Sequence, residues 1–179
     1  MQFTETVLDG AFIIEPVPVI DERGSFARTF CVETFEQRGL ETRFVQHSRS
    51  HSIRKGTLRG LHFQADPHAE VKLVSCSAGA VWDVIVDMRP ASPTYLRWLS
   101  VVLTPANQRQ ILIPKGFAHG FQTLTDDAVV QYQISEFYAP NAARGLRYDE
   151  PALGIIWPVP LTVISARDFA WPLLEEVPA

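Results

Sequence analysis

Short apolar runs, rich in β-branched and aromatic residues, recur along the whole 179-residue chain. Each run is bounded by Gly, Pro, Asp or Asn, a pattern that predicts β-strands separated by turns. Only VETFEQRG, residues 32–39, has the pattern of a short helix, which ends at Gly39. The predicted strands cover residues 11–20, 25–31, 71–76, 80–88, 96–103, 109–113 and 128–134.

Many short strands with almost no helix predict an all-β fold, either a sandwich or a barrel. The sequence SAGA, residues 77–80, lies between two predicted strands and is typical of a hairpin turn. The Pro-rich segment WPVPLTVISARDFAWPLL, residues 157–174, is expected to pack irregularly across the outside or the mouth of this body. No low-complexity linker divides the chain, and its length suits one core, so we predict a single domain over residues 1–179.

Composition and charge narrow the class of protein. A hydrophobic share of 46% with 20% charged residues is typical of a folded soluble protein. The net charge of −4 lacks the basic excess of a nucleic-acid binder, although local charge can still bind a small anion. No run approaches membrane-spanning length. Cys31 and Cys76 lie in separate strand-like runs, which favours free thiols, and we predict a cytoplasmic protein without a membrane partner.

The run GTLRGLHFQ, residues 56–64, places an arginine and a histidine inside an apolar strand-like stretch. Burying Arg59 and His62 without partners would be costly, so the pair indicates a function. Strand alternation puts the two side chains on opposite faces. A bulge at Gly60 would instead turn both toward one cavity. In a third arrangement, Arg59 faces a cavity shared with a dimer partner.

The spacing Gly56-x5-His62, followed by Pro-x-Gly-x-x-His ending at His119, resembles the two motifs of the cupin superfamily. That resemblance implies a double-stranded β-helix, the cupin jelly roll. Metal-binding cupins continue the first motif with a second histidine and a glutamate, whereas this chain has Gln64 and then Lys72. Amide oxygens bind transition metals poorly and a lysine repels a divalent ion, so no metal is expected. A metal-dependent dioxygenase or isomerase is the alternative that these residues disfavour.

Six motifs follow one another over about residues 12–174: DERGSFARTF (21–30), GTLRGLHFQ, VKLV (71–74), IPKGFAHGFQTL (113–124), YQISEFYAP (132–140) and PALGIIWP (151–158). With these motifs and this spacing, the chain resembles the nucleotide-sugar 3,5-epimerase family, whose members are dTDP-4-dehydrorhamnose 3,5-epimerase-like cupins. The resemblance implies a homodimer that needs no cofactor. Its substrate would be a nucleoside-diphosphate 4-keto-6-deoxyhexose, with dTDP expected, in rhamnose-like deoxysugar and polysaccharide biosynthesis.

By this resemblance His62 is the base, and Asp168 orients it and raises its basicity. Lys72 stabilises the enolate, and Tyr132 donates a proton. Epimerisation beside a ketone needs a base near neutral pKa, a positive group at the enolate oxygen and a distinct acid on the opposite face. Arg59 would bind the diphosphate. The other substrate-binding residues that the resemblance implies are His119, Arg23, Phe26, Gln46, Tyr138 and Arg167.

Each candidate also has a structural interpretation. His62 alone would be a satisfied core histidine, Asp168 a turn cap and Tyr132 one more sheet aromatic. Asp83 and Asp87 share one strand face. Either Asp83 holds a site residue in place without contacting the substrate, or both aspartates lie at a surface-facing edge.

The departures from the family lie on the nucleotide side, at QHS (46–48), at Arg28 and at RYDEP (147–151). UDP, CDP and GDP sugars therefore stay open as substrates. So do three alternative functions: a single-centre 3- or 5-epimerase, a 3,4-ketoisomerase and a non-catalytic sugar-binding cupin.

Overall fold

The computed structural model describes residues 1–174, and two antiparallel β-sheets dominate it. The helices are α1 (Val32–Glu36) and α2 (Ala166–Phe169), and a 3-10 turn covers Pro140–Ala142. No helix in residues 1–174 has the length and apolar character needed to cross a membrane. The strands are β1 (Gln2–Glu5), β2 (Phe12–Glu15), β3 (Val19–Asp21), β4 (Gly24–Phe26), β5 (Gln46–Ser52), β6 (Leu58–Gln64), β7 (Lys72–Ala78), β8 (Val81–Asp87), β9 (Trp98–Leu103), β10 (Gln110–Ile113), β11 (Phe117–Thr123), β12 (Ala128–Ile134) and β13 (Ala143–Gly145).

The chain passes back and forth between the two sheets. One sheet has the order β1-β2-β10-β7-β12-β5, and the other has the order β13-β6-β11-β8-β9. From β5 to β13, successive strands lie in opposite sheets except for the hairpin β8–β9. This alternation is the double-stranded β-helix of a jelly roll, so the all-β prediction is confirmed.

On the inner faces of two strands, a buried core residue is followed or preceded, two positions away, by a polar residue. On β12, Val130 is fully buried in the core between the sheets, and Tyr132 follows two residues later on the same face. On β7 the buried Val74 has Lys72 two residues before it. The same periodicity that builds the core therefore brings polar side chains to one end of it.

Residues 150–174 pack largely without regular structure, as predicted. Trp157 packs with Trp82 and Trp98 on the outer face of the five-stranded sheet. Farther along, Val163 forms an isolated parallel bridge with Thr57 at the start of β6. The segment therefore runs from the outside of the jelly roll to its mouth.

Two predicted strands and one predicted turn need correction. The run 11–20 forms two strands, because Pro16 and Pro18 between them cannot donate to a ladder. Of the run 25–31, only residues 25 and 26 are in a strand. SAGA is not a hairpin, since β7 and β8 belong to opposite sheets. Turn chemistry is local, and it does not encode which sheet receives the next strand.

A buried carboxylate fixes the loop that joins β8 to β9. Asp87 accepts hydrogen bonds from Ser92 Oγ and Thr94 Oγ1, each at 2.6 Å, and from Arg89 Nε at 2.9 Å. Burial acts to raise the pKa of Asp87, but these donors outweigh it and hold the pKa far below its usual range. Both Asp87 and Asp83 are fully buried, so the surface-edge alternative is wrong.

Replacing Asp87 with asparagine is expected to lower the free energy of unfolding by about 3 kcal/mol, because Arg89 loses its counter-charge in a partly buried site. Since the folded-state pKa is lowered, the stabilisation is present above the ordinary value of 3.8 and fades as the pH falls below it. Urea unfolding at neutral pH measures the loss of unfolding free energy in the variant. At about pH 3 the difference between the variant and the wild type should be smaller. Asp9→Asn is the matched control, because Asp9 is 81% exposed and 4.0 Å from Arg89. Equal losses in the two variants would contradict the assignment.

Candidate active site

A cavity of about 600 Å³ opens between the sheets at the polar end of the core. This volume falls within the range of sites that bind small molecules. Strands β5, β6, β7, β11 and β12 and the segment around α2 all contribute to its wall. The cavity brings together nine of the predicted site residues: Gln46, Arg59, His62, Lys72, His119, Tyr132, Tyr138, Arg167 and Asp168.

A bulge in β6 turns both Arg59 and His62 into this cavity. In the pairing of β6 with β11, His62 lies opposite His119 and Arg59 lies opposite Phe121, so two residues of β6 face one of β11. Gly60 has a φ of 129°, and a Cβ there would lie 2.5 Å from the Cα of Gly120. The bulge therefore requires glycine. Of the three arrangements considered for GTLRGLHFQ, the structure shows the bulge at Gly60, with Arg59 and His62 lining the same cavity.

His62 and Asp168 form a hydrogen-bonded pair, with Nε2 and Oδ1 2.6 Å apart. Burial acts to raise the pKa of Asp168, but the hydrogen bonds from His62 and from the Gly60 N–H lower it below its ordinary value. Asp168 is thus a carboxylate at neutral pH and holds His62 in the tautomer that donates from Nε2. The second ring nitrogen, Nδ1, then carries a lone pair that can accept a proton from a substrate.

Lys72 is buried beside a carboxylate that the sequence analysis did not assign to the site. Its Nζ lies 2.9 Å from Glu70 Oε1 and donates to the His62 carbonyl at 3.3 Å. An ammonium has three N–H donors, so one is left for a ligand. Glu70 offsets the cost of burying the lysine, while its Oε2 is buried without a hydrogen-bond partner in the described part of the chain.

Tyr132 extends from β12 into the same space, and its hydroxyl oxygen lies 3.1 Å from Ser50 Oγ. Burial raises the pKa of Tyr132 well above its usual range, and the hydrogen bond with Ser50 acts in the opposite direction. Its ring meets the His119 ring edge to face, with 6.1 Å between centroids. Tyr132 is therefore protonated at neutral pH and can act as a proton donor.

His119 is buried against Asp83, with Nε2 2.9 Å from Oδ2. Burial raises the pKa of Asp83, and the attraction of His119 offsets only part of that rise. This second histidine–carboxylate pair fixes the ring of His119 directly across from His62 on the neighbouring strand.

Two arginines, Arg59 and Arg167, contribute positive charge to the cavity wall. Arg59 donates to Ser52 Oγ and to the His51 carbonyl, which fixes its guanidinium. Arg167 lies over the ring of Trp171, 5.3 Å from its centroid, and donates to Tyr138 Oη at 3.5 Å. Two arginines so placed can bind a diphosphate.

Arg23 and Phe26, predicted to bind substrate, do not line this cavity in residues 1–174. Both lie on the β3–β4 hairpin, where Phe26 is 76% exposed and Arg23 pairs with Asp21. The structure therefore does not bring these two residues together with the other nine candidates.

The residues present do not fit a metal site. Residues 1–174 contain no cluster of three or more His, Cys, Asp or Glu side chains that could hold an ion. Gln64, at the position of a cupin ligand, donates to the carbonyls of His68 and Phe137 and accepts from Ala139 N. Its amide therefore connects β6 to the loop that contains His68 and to the loop that contains Phe137 and Ala139.

Sequence reasoning missed Ser50 and Glu70 and left Asp83 undecided. The signal for Glu70 was its position two residues before Lys72, since a lysine between apolar neighbours on a strand needs a counter-charge on the same face. Ser50 carried no comparable signal, because the strand that holds it, QHSRSHS, is polar throughout.

The fold and the cavity define a cupin-type enzyme in which a histidine–carboxylate pair, a tyrosine and a lysine line one cavity. Comparisons with known proteins agree. The family model for dTDP-4-dehydrorhamnose 3,5-epimerase matches residues 5–176. The chain belongs to the dTDP-4-dehydrorhamnose 3,5-epimerase family, and the predictions of this family and of an isomerase of the epimerase type are confirmed.

Individual relatives cover nearly the whole chain. A dTDP-4-dehydrorhamnose 3,5-epimerase of Methanothermobacter thermautotrophicus is 46% identical over 99% of this chain and 96% of its own. The crystal structure of the Elizabethkingia anophelis enzyme has a TM-score of 0.95 at 38% identity and covers 98% of this chain and 97% of that one. A Legionella pneumophila 3,5-epimerase in complex with dTDP-4-keto-L-rhamnose has a TM-score of 0.92 at 41% identity and covers 99% and 94%.

A 3'-monoepimerase from Streptomyces bikiniensis, in complex with dTDP-quinovose, shares the fold at a TM-score of 0.88 and 34% identity, covering 95% of this chain and 86% of that one. The comparisons give no support to the ketoisomerase or the non-catalytic sugar-binding alternatives.

Proposed function

We propose that this chain inverts C3 and C5 of a 4-keto-6-deoxyhexose carried on dTDP, in deoxysugar biosynthesis. The observation that carries the proposal is the His62–Asp168 pair, which shares one cavity with Lys72 and Tyr132. The nucleotide is supported by the relatives, one of which was solved with dTDP-4-keto-L-rhamnose.

The first step is removal of a proton beside the C4 ketone. His62 Nδ1 accepts the proton from C3 or C5, and the electron pair of the C–H bond passes to the C4 oxygen as an enolate. The imidazolium that forms is stabilised by the Asp168 carboxylate, 2.6 Å from Nε2. No cofactor is required, because the ketone of the substrate accepts the electron pair.

The enolate oxygen needs a fixed positive group. In the proposed mechanism the free N–H of Lys72 binds it, since the other two donors are already directed to Glu70 and the His62 carbonyl. Lys72 is 12% exposed, so little water competes for this bond.

Inversion requires that the returning proton reach the opposite face of the ring. Tyr132 is on β12 of the six-stranded sheet, while His62 is on β6 of the other sheet, so the two groups approach a bound ring from different walls. In the proposed step at C5 the Tyr132 O–H bond breaks, and its proton joins C5 as the electron pair of the enolate forms the new C–H bond. The tyrosinate then takes a proton from solvent, and the His62 imidazolium returns its proton to solvent.

The diphosphate is proposed to bind to Arg59 and Arg167, with Gln46 and Tyr138 also in contact with the nucleotide. Gln46 Oε1 accepts from the Tyr138 N–H at 2.9 Å, and this bond connects β5 to the loop that contains Tyr138. His119 is proposed to contact the sugar, since it lies across from His62.

We expect a homodimer. The β3–β4 hairpin exposes Val19 and Ile20, at 68% and 76%, as well as Phe26. Arg23 and Phe26 match nucleotide-binding positions but are absent from their own chain's cavity, and a hairpin that reaches the cavity of a second copy explains both facts. Light scattering of purified protein should give twice the chain mass of 20.1 kDa, and Phe26→Ala should raise KM for the nucleotide sugar. A monomer with full activity would contradict this arrangement.

The two free thiols, Cys31 and Cys76, agree with a reducing compartment, and we propose a cytoplasmic enzyme.

Deuterium incorporation tests the proposed function. Purified protein is incubated in D2O with dTDP-4-keto-6-deoxyglucose, and the products are examined by mass spectrometry and proton NMR. Incorporation at C3 and C5 with both centres inverted is the expected result. If dTDP is not accepted, the UDP, CDP and GDP sugars are tested next, and absence of exchange with all four would contradict the proposal.

A further inference from the structure

The hydroxyl of Tyr132 has one hydrogen-bond partner among the described residues, Ser50 Oγ at 3.1 Å. Tyr132 is on β12 and Ser50 on the neighbouring edge strand β5. In the register of these strands, Tyr132 faces Ser48 and Ser50 faces Val130, so the bond runs diagonally along the inner face. Both serines line the cavity, but only Ser50 is bonded to the phenol.

The chemistry fixes the direction of this hydrogen bond. A tyrosine that gives its proton to a substrate carbon must point its O–H into the cavity. Its oxygen is then free to accept from Ser50, whose hydroxyl can rotate to donate. Without that donor, the phenol has no anchor among the described residues to hold its oxygen and aim its proton.

The charge that develops during proton donation makes the same bond more important. As Tyr132 loses its proton, a tyrosinate forms in a place where burial raises the pKa of the phenol and disfavours the anion. The Ser50 hydrogen bond is the foremost of the influences that act against this rise. Hydrogen bonds to charged groups are stronger than those to neutral ones, so the bond strengthens as the proton leaves.

We propose that Ser50 is a positioning residue that determines whether C5 is inverted, by holding the Tyr132 hydroxyl in the orientation for proton donation. The inference rests on the proposed function. It adds that Ser50 decides whether the enzyme inverts one carbon or two. The monoepimerase neighbour shows that this fold is compatible with epimerisation at one centre.

The test compares C3 and C5 within one experiment. Wild type, Ser50→Ala, Ser50→Thr, Ser48→Ala and Tyr132→Phe are each incubated in D2O with dTDP-4-keto-6-deoxyglucose. Proton NMR follows inversion at each carbon, and circular dichroism checks the fold. Ser50→Ala is expected to slow C5 inversion by about 10- to 100-fold, the loss typical of a hydrogen bond to a charged group. C3 exchange should change by no more than about threefold, within the effect of a weak contact.

The other variants separate positioning from a general structural role. Ser50→Thr keeps the hydroxyl and should restore C5 inversion, and Tyr132→Phe should show the same selective loss as Ser50→Ala or a larger one. Ser48→Ala removes a neighbouring cavity serine without touching the phenol and should leave the ratio of C5 to C3 unchanged. An unchanged ratio in Ser50→Ala, or an equal loss at both carbons, would overturn the inference while leaving the proposed function standing. Absence of exchange at both carbons in the wild type, with the dTDP sugar and with the UDP, CDP and GDP sugars, would overturn both.

Discussion

Replacing His62 with alanine is expected to lower deuterium incorporation at C3 and at C5 together, by about 10³-fold or more. Both exchanges begin with removal of a proton beside the same ketone, and His62, hydrogen-bonded to Asp168, is the proposed base. The loss should appear in kcat far more than in KM, because the diphosphate is proposed to bind elsewhere, at Arg59 and Arg167. Rates of exchange measured by mass spectrometry at saturating substrate provide the test.

The fold should survive this change. The His62 side chain is 43% exposed, so its removal leaves no large core cavity. His68→Ala is a suitable control, because His68 is exposed in the loop after β6 and outside the cavity. Near-normal exchange in His62→Ala, or loss at only one of the two carbons, would show that the proton is removed by a different group.

Replacing Lys72 is expected to have the second-largest effect, a loss of about 10²- to 10³-fold in kcat at both carbons. The enolate forms in each half of the reaction, so the loss of its positive partner slows both. Removing Lys72 alone would leave Glu70 as an uncompensated buried carboxylate and would destabilise the protein.

The experiment therefore uses the double variant Lys72→Met/Glu70→Gln, compared with Glu70→Gln alone. The single variant retains the ammonium and lacks only the carboxylate charge, so the ratio of the two rates isolates the effect of Lys72. Thermal unfolding of both variants checks that neither is lost to misfolding. A ratio near one would mean that the enolate is stabilised by another group, with His119 the nearest candidate.

Composition predicted the strands that contribute apolar residues to the core. β12 was predicted with the observed bounds, residues 128–134, because AVVQYQI is rich in β-branched and aromatic residues and follows a turn signal. β5 was missed, because QHSRSHS is polar on both faces. Its inner face lines the cavity, and its outer face points away from the space between the sheets. A strand whose inner face belongs to a binding site lacks the apolar residues by which strands are recognised.

The catalytic candidates were recognisable for a different reason. His62 stood out because a polar group inside an apolar strand needs an explanation, whereas Lys72, Tyr132 and Asp168 were assigned by the resemblance to the family. Their supporting partners were found in neither way, since a hydrogen bond between Ser50 and Tyr132 spans 82 residues and depends on strand order, which no local pattern specifies. Arg23 and Phe26 show a second limit of prediction, because one chain does not show which residues a second copy contributes to its cavity.

The pairing of His62 with Asp168 joins positions 106 residues apart, and the carboxylate arrives on the short helix α2, after both sheets have been completed in sequence order. During synthesis on the ribosome, every strand is therefore made before the carboxylate partner of the proposed base. A chain that ends before residue 165 contains all thirteen strands but lacks Asp168, so its His62 has no carboxylate at Nε2. We expect such a chain to lose exchange at both carbons, as His62→Ala does, even where the jelly roll forms.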